Sequence, residues 1–74
     1  MLPLPLANVD EEYTIKKISG SSDVKKHLEN LGFVVGGNVK IVAYVDGNLI
    51  VNAKEARIAI NKELAMRVMV WYTG

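Results

Sequence analysis

The chain contains no cysteine, only one histidine and no long run of apolar residues. Without thiols it can form neither a disulfide framework nor a thiolate metal cage, which is compatible with a reducing cytoplasm. The single histidine, His27, is a weak candidate metal ligand, and no base is placed beside a serine for nucleophilic catalysis. No segment approaches the roughly 18 apolar residues of a membrane span, and the first residues lack the features of a secretory signal. We therefore expect a cytoplasmic protein that is neither inserted in a membrane nor an enzyme.

The chain also lacks a strong excess of charge of either sign. Its nine basic and eight acidic residues give a net charge of +1 and lie in short clusters. A nucleic-acid-binding domain usually carries a strong basic patch or stripe, so we expect no nucleic acid partner. With 74 residues, half of them apolar, the composition is that of a single globular domain over residues 1–74. We expect no cofactor, and a homo-oligomer is compatible with this composition.

Residues 21–39 carry the most specific pattern in the chain, which predicts a helix over residues 22–31. Ser22 is expected at the N-cap, where its hydroxyl accepts a backbone hydrogen bond. Gly32 suits the position just after the helix, which requires a positive φ, and Phe33 is placed to pack back onto the last turn. A helix this short is marginal alone, so its apolar face must pack on the rest of the domain. That face consists of Val24, Leu28 and Leu31.

Alternating apolar residues on both sides of this helix predict β-strands. Residues 13–19 form a strand in which a shift in spacing indicates a bulge. Asp46-Gly47 is typical of a type I′ turn and predicts a tight hairpin, followed by a reversal at residues 54–55 and a further strand. In the first strand of this hairpin, residues 39–45, the alternation predicts one apolar face. That face consists of Val39, Ile41, Ala43 and Val45.

The two ends of the chain predict one short element each. Pro3 and Pro5 should keep the N-terminal arm extended and non-helical, as a lid or a short edge strand. Near the C-terminus we expect a one-turn helix at residues 61–65 and then a strand, although one helix over residues 62–72 is an alternative with similar spacing. Together these elements predict a mainly β fold, a small SH3-like, partly open barrel of about five antiparallel strands with one inserted helix.

These motifs resemble the FeoA family, small cytosolic proteins associated with the ferrous-iron transporter FeoB. The resemblance spans nearly the whole chain. The matching segments are Pro5-Leu6, residues 15–20, the signature-like stretch LENLGFVVGGNV at residues 28–39, and residues 58–61 and 65–70. Two positions depart from the family pattern, since Val35 stands where the family usually has proline and His27 where it usually has arginine.

The resemblance implies a non-enzymatic accessory protein that binds the cytosolic GTPase region of FeoB and influences iron uptake. We expect the partner-binding residues on and just after the helix, and the fold-determining residues on its apolar side. The expected partner-binding residues are Lys26, His27, Asn30, Phe33 and Val34, and the expected fold-determining residues are Leu28, Leu31, Gly32 and Gly36.

Two other functions stay open at this point. The first is a stand-alone SH3-like module that binds nucleic acid. The second is a metal-responsive sensor that uses His27 and carboxylates elsewhere. Trp71 and Tyr72 are candidates for an exposed binding surface, whereas Met66 is expected to serve in packing.

Overall fold

The computed structural model describes residues 1–73. The strands in this part of the chain are β1 (Leu2–Pro3), β2 (Glu12–Ile18), β3 (Asn38–Val45), β4 (Asn48–Ala53), β5 (Ala56–Asn61) and β6 (Val68–Tyr72). The helices are α1 (Ser22–Leu31), α2 (Lys62–Ala65) and a 3-10 helix at Leu4–Leu6. All strands belong to one antiparallel sheet with the order β1-β6-β2-β3-β4-β5. The predicted mainly β fold with one inserted helix is confirmed.

The turns and the first bulge also follow the prediction. Asp46 and Gly47 both have positive φ values, 48° and 80°, as a type I′ turn requires. The register of β2 against β6 shifts between Ile15 and Lys17, so the predicted bulge is present. The two-residue strand β1 pairs with β6 at the edge of the sheet, so the short edge strand expected in the N-terminal arm is present, and the described sheet has six strands where about five were expected.

The last segment is a strand, and the alternative of one helix over residues 62–72 is wrong. The side chain of Asn61 accepts a hydrogen bond from the backbone N–H of Leu64 at 2.7 Å, so it caps the single turn of α2. The chain then extends into β6, which lies between β1 and β2 and pairs with both. β1 and β2 supply hydrogen-bond partners for the backbone N–H and C=O groups of β6, which an isolated segment would obtain by forming a helix.

The hydrophobic core contains side chains from every strand except β1, together with residues from the arm, α1 and α2. No polar or charged residue among the described ones is buried. The buried residues alternate along the strands, as expected for a sheet with one covered face. They are Leu4, Ala7, Tyr13, Ile15, Ile18, Leu28, Phe33, Val39, Ile41, Leu49, Val51, Ala53, Ile60, Ala65, Val68 and Val70.

A second bulge in β3 overturns the predicted apolar face of that strand. The register against β4 shifts between Ile41 and Ala43, and a shift of one residue moves every later side chain to the opposite face. Ala43 is therefore only half-buried and Val45 is exposed, although both were expected beside Ile41. Tyr44 instead pairs with buried Leu49 and lies on the core side of the strand.

Tyr44 fixes the N-terminal arm, which we define as residues 1–9. Its hydroxyl donates to the carbonyl oxygens of Pro5 at 2.9 Å and Ala7 at 3.3 Å. The arm inserts the fully buried Leu4 into the core through the 3-10 helix. The prediction that both prolines keep this segment non-helical is wrong at Leu4–Leu6, because a proline in the first turn loses no helical hydrogen bond.

Replacing Tyr44 with phenylalanine should release the arm. We expect Tyr44→Phe to lower the free energy of unfolding by about 1 kcal/mol, the usual contribution of such hydrogen bonds, in urea denaturation. The Tyr72→Phe variant, at an exposed tyrosine of the same sheet, is the matched control and should change stability less. Equal losses in the two variants would contradict the anchoring role of Tyr44.

The same bond predicts a pH dependence. Burial raises the pKa of the Tyr44 hydroxyl above its usual value of 10.0, and the nearby Tyr13 raises it further. Because the folded state favours the neutral phenol, its stabilisation is fully present below about pH 10 and is lost as the pH rises above that value. The stability difference between the unmodified chain and Tyr44→Phe should therefore shrink at alkaline pH, as measured by urea denaturation across a pH series.

Candidate partner-binding surface

The helix α1 spans the predicted residues 22–31, but its N-cap lies one residue earlier than predicted. Ser21, not Ser22, is the N-cap, because its backbone is extended and its hydroxyl accepts a hydrogen bond from the N–H of Val24 at 3.3 Å. Ser22 is already the first helical residue. Two adjacent serines offer the same side chain, so the sequence alone did not distinguish between them.

The end of α1 has the predicted Schellman geometry. Gly32 has a φ of 114°, and its N–H donates to the carbonyl oxygen of Glu29 at 2.9 Å. The N–H of Phe33 donates to the carbonyl oxygen of Leu28 at 2.9 Å. These two bonds satisfy carbonyl groups that a helix end otherwise leaves unpaired. The helix therefore stops abruptly and the chain turns into the core at Phe33.

The apolar side of α1 attaches the helix to the sheet. Leu28 is fully buried, whereas Val24 and Leu31 are partly buried against the core. At the C-terminal end, a methyl group added to Gly32 would lie 3.5 Å from the Cδ1 atom of Ile58, so this end of the helix lies beside β5. Leu28, Leu31 and Gly32 thus lie where α1 meets the sheet.

The segment after α1 is bound to the middle of β2. The N–H of Gly36 donates to the carbonyl oxygen of Ile15, and the N–H of Ile15 donates to the carbonyl oxygen of Gly37, both at 2.8 Å. Gly36 has a φ of 90°, a value that favours glycine. Val35 lies at this turn with its side chain exposed.

The expected partner-binding residues do not all reach the surface. Lys26, His27 and Asn30 are exposed on the outer side of α1, and Val34 is half-buried beyond its end. Phe33 is fully buried in the core, which removes it from any contact surface in this structure. We call the remaining four residues the helix surface. The Schellman contact already present in the sequence pattern accounts for the burial of Phe33.

No metal centre is evident in the described part of the chain. Within residues 1–73, no three His, Cys, Asp or Glu side chains are grouped so that they could hold a metal ion. His27 stands on the outer face of α1 without such neighbours. None of the helices in this part of the chain is long and apolar enough to cross a membrane.

A second set of exposed side chains lies on β2 and β6 and was only partly foreseen. The Lys16 ammonium lies 5.6 Å from the ring centre of Trp71, within the range of a cation–π contact. Tyr72 packs edge-on against buried Tyr13, with ring centres 5.6 Å apart. Trp71 and Tyr72 are more than half exposed, and Met66, which was expected to pack, is also exposed. The spacing of apolar residues in β2 predicted the bulge at Lys16. The contact between Lys16 and Trp71 depends on the order of the strands in the sheet.

The geometry of the described residues defines a class of protein domain. It is a small SH3-like β-domain whose one long helix is anchored on its apolar side and displays polar residues on the other. A shallow depression at Gly47, Asn61, Lys62 and Glu63 contains only exposed residues.

Comparison with known proteins identifies the family. Residues 2–71 match the family described as FeoA domain. The "Putative Fe(2+) transport protein A" of Methanocaldococcus jannaschii is 34% identical over 70 residues, which cover 95% of this chain and 85% of the relative. The chain belongs to the FeoA family.

Solved structures support the fold. The crystal structure of an iron uptake regulatory protein (FeoA) is similar with a TM-score of 0.86 and 27% identity, covering 95% of this chain and 93% of that one. The crystal structure of ScaR with bound Zn²⁺ also has a TM-score of 0.86, at 20% identity, over 97% of this chain and 37% of ScaR. The second likeness shows the fold alone. The predicted SH3-like fold is confirmed.

The position of the N-cap can be tested with two neighbouring variants. Ser21→Ala should lower the free energy of unfolding by about 1 kcal/mol, because the N–H of Val24 loses its acceptor. Ser22→Ala should change it by less than about 0.5 kcal/mol, as expected for an exposed helical residue. Urea denaturation measures both, and a larger loss for Ser22→Ala would place the cap where the sequence pattern put it.

The helix stop can be tested at Gly32. Gly32→Ala should cost about 1–2 kcal/mol, because alanine must adopt a positive φ, while the 3.5 Å distance to Ile58 leaves room for the methyl group. Lys25→Ala, an exposed position within the same helix, is the control and should change stability by less than about 0.5 kcal/mol. Thermal or urea unfolding distinguishes them, and indistinguishable variants would contradict the strain argument.

Proposed function

We propose that this chain is a non-enzymatic accessory protein of a ferrous-iron transport system, and that it acts in the cytoplasm by binding the cytosolic GTPase region of a FeoB-type transporter. The observation that carries the proposal is the match to the FeoA family over residues 2–71. The name of the 34% identical relative, an Fe(2+) transport protein A, supports the iron-transport role.

The absence of a grouped metal-binding set among residues 1–73 favours a role in binding a protein over a role in sensing iron. A sensor would need several oxygen or nitrogen ligands that converge on one ion. His27 alone on an exposed helix face does not supply them. The acidic residues near the start of the chain, at positions 10–12, are not part of such a group either.

We propose that the helix surface contacts the transporter. Lys26 and Asn30 are four residues apart on α1, and His27 and Asn30 are three apart, so their side chains are neighbours on one side of the helix. They offer a cationic group, an imidazole and an amide within one small area. Such donors suit carboxylate and carbonyl oxygens on a partner.

Apolar side chains extend the helix surface beyond its polar part. Val34 is half-buried and Val35 is exposed, directly after the helix stop. In protein interfaces an apolar centre with polar groups around it contributes most of the affinity. The rigid connection of this segment to Ile15 means that binding requires little ordering of the backbone.

Paired variants test this surface. The double variant His27→Ala with Asn30→Ala should weaken binding to the complete FeoB-type transporter in nanodiscs at least about tenfold, or roughly 1.4 kcal/mol. The control is Lys62→Ala with Glu63→Ala, two exposed residues on α2. Biolayer interferometry measures both affinities, and circular dichroism confirms that both variants fold.

Two results would contradict the proposal in different ways. If the unmodified chain does not bind the transporter, the proposed partner is wrong. If it binds and the α2 variant loses affinity while the α1 variant does not, the partner stands and the helix surface is wrong.

A further inference from the structure

The strand β5 ends the sheet on the side opposite β1. It pairs with β4 along all six of its residues, from Ala56 opposite Ala53 to Asn61 opposite Asn48, without any register shift. No other strand in the described residues lies on its outer side. It is therefore a regular edge strand with one row of backbone groups facing outward.

The hairpin geometry identifies those outward backbone groups. The β4–β5 connection is the two-residue turn Lys54-Glu55, and residues that flank such a turn form a hydrogen-bonded pair. Ala56 therefore points its N–H and C=O groups toward β4, and the pattern alternates along the strand. The outward groups belong to Arg57, Ala59 and Asn61. No backbone hydrogen bond outside the ladders engages Arg57 or Ala59 within residues 1–73.

This edge carries little of the usual protection against strand pairing. Natural edge strands carry prolines, bulges or charged side chains, or lie under a helix or loop. Residues 56–61 contain no proline and no bulge, and Arg57 is their one charged residue. Ala59 is small and exposed, so its side chain does not hinder an approaching backbone. The strand at the other edge of the sheet, β1, is only two residues long and offers far fewer outward backbone groups.

We propose that β5 pairs with β5 of a second copy of this chain, antiparallel and centred on Ala59, so that the two sheets become continuous. In this register Ala59 lies opposite the partner's Ala59, and Arg57 lies opposite the partner's Asn61. The two Ala59 residues both have outward backbone groups and form a hydrogen-bonded pair, and the N–H of Asn61 can donate to the carbonyl oxygen of the partner's Arg57, whereas the carbonyl oxygen of Asn61 accepts the first bond of α2. On the core side, the half-buried Ile58 lies opposite the partner's Ile60, which covers apolar surface that a single copy leaves exposed.

This register places no like charges opposite each other within the strand. Arg57, the one charged residue of β5, lies opposite the neutral amide of the partner's Asn61. Because the same patch binds itself, the contact closes as a twofold dimer and does not continue into a fibre.

Engineered cysteines test the pairing cleanly, because the chain has none of its own. In a hydrogen-bonded antiparallel pair the two Cα atoms are about 5.5 Å apart, within the range that a disulfide spans. Two copies of residue 57 would be about 13 Å apart along the strand and cannot be bridged. Ala59→Cys is therefore the test, and Arg57→Cys, an exposed position on the same face of the same strand, is the control.

Under mild oxidation, Ala59→Cys should form a disulfide-linked dimer at least tenfold faster than Arg57→Cys at the same protein concentration. Circular dichroism of the reduced proteins establishes that both fold. Sedimentation of the unmodified chain should show a concentration-dependent dimer, and Ala59→Lys should shift it toward monomer. Equal cross-linking rates for the two cysteine variants would overturn the proposal, as would a dimer that Ala59→Lys leaves unchanged.

Discussion

The pairing of β2 with β6 is the interaction on which the rest of the structure depends. It joins residues near the start of the chain to residues near its end, from Tyr13 opposite Tyr72 to Ile18 opposite Val68. The strands β3, β4 and β5 form through local hairpins, whereas this pair must close a loop of some fifty residues and carries the largest entropic cost. Once formed, β6 supplies the edge that β1 needs and places Leu4 over the core.

The same pairing positions the helix that carries the proposed partner-binding residues. The N–H of Ser19, just after β2, donates to the carbonyl oxygen of Arg67 at 2.8 Å, so α1 starts from a point tied to the turn before β6. At its other end the segment that follows the helix stop bonds back to Ile15 in the same strand. Both ends of the insertion are thus attached to β2, and Leu28 is its buried anchor. A helix of this length, unstable alone, can therefore present a rigid polar face.

The two ends of the sheet are treated differently. At one end the arm covers the edge, with Leu4 buried and Tyr44 bonded to the arm backbone. At the other end β5 is regular, contains no proline and has no further described strand paired with its outer side. The helix surface and this edge are close in the fold, because Gly32 lies beside Ile58. A dimer through β5 would place two helix surfaces on one assembly, and a partner with two binding sites would then bind by avidity.

Local chemistry in the sequence determined the elements. Serine, glycine and asparagine at caps and turns, and the alternation of apolar residues, sufficed for α1, for the hairpin at Asp46-Gly47 and for the turn at Asn61. The fold class and the polar outer face of α1 followed from the same patterns. Tertiary structure decided what local energies leave nearly equal: Ser21 over Ser22 as cap, strand over helix at residues 68–72, and the bulge that turns Tyr44 toward the arm. Each of these depends on a partner distant in sequence or on small differences in backbone geometry, which a one-dimensional pattern does not contain.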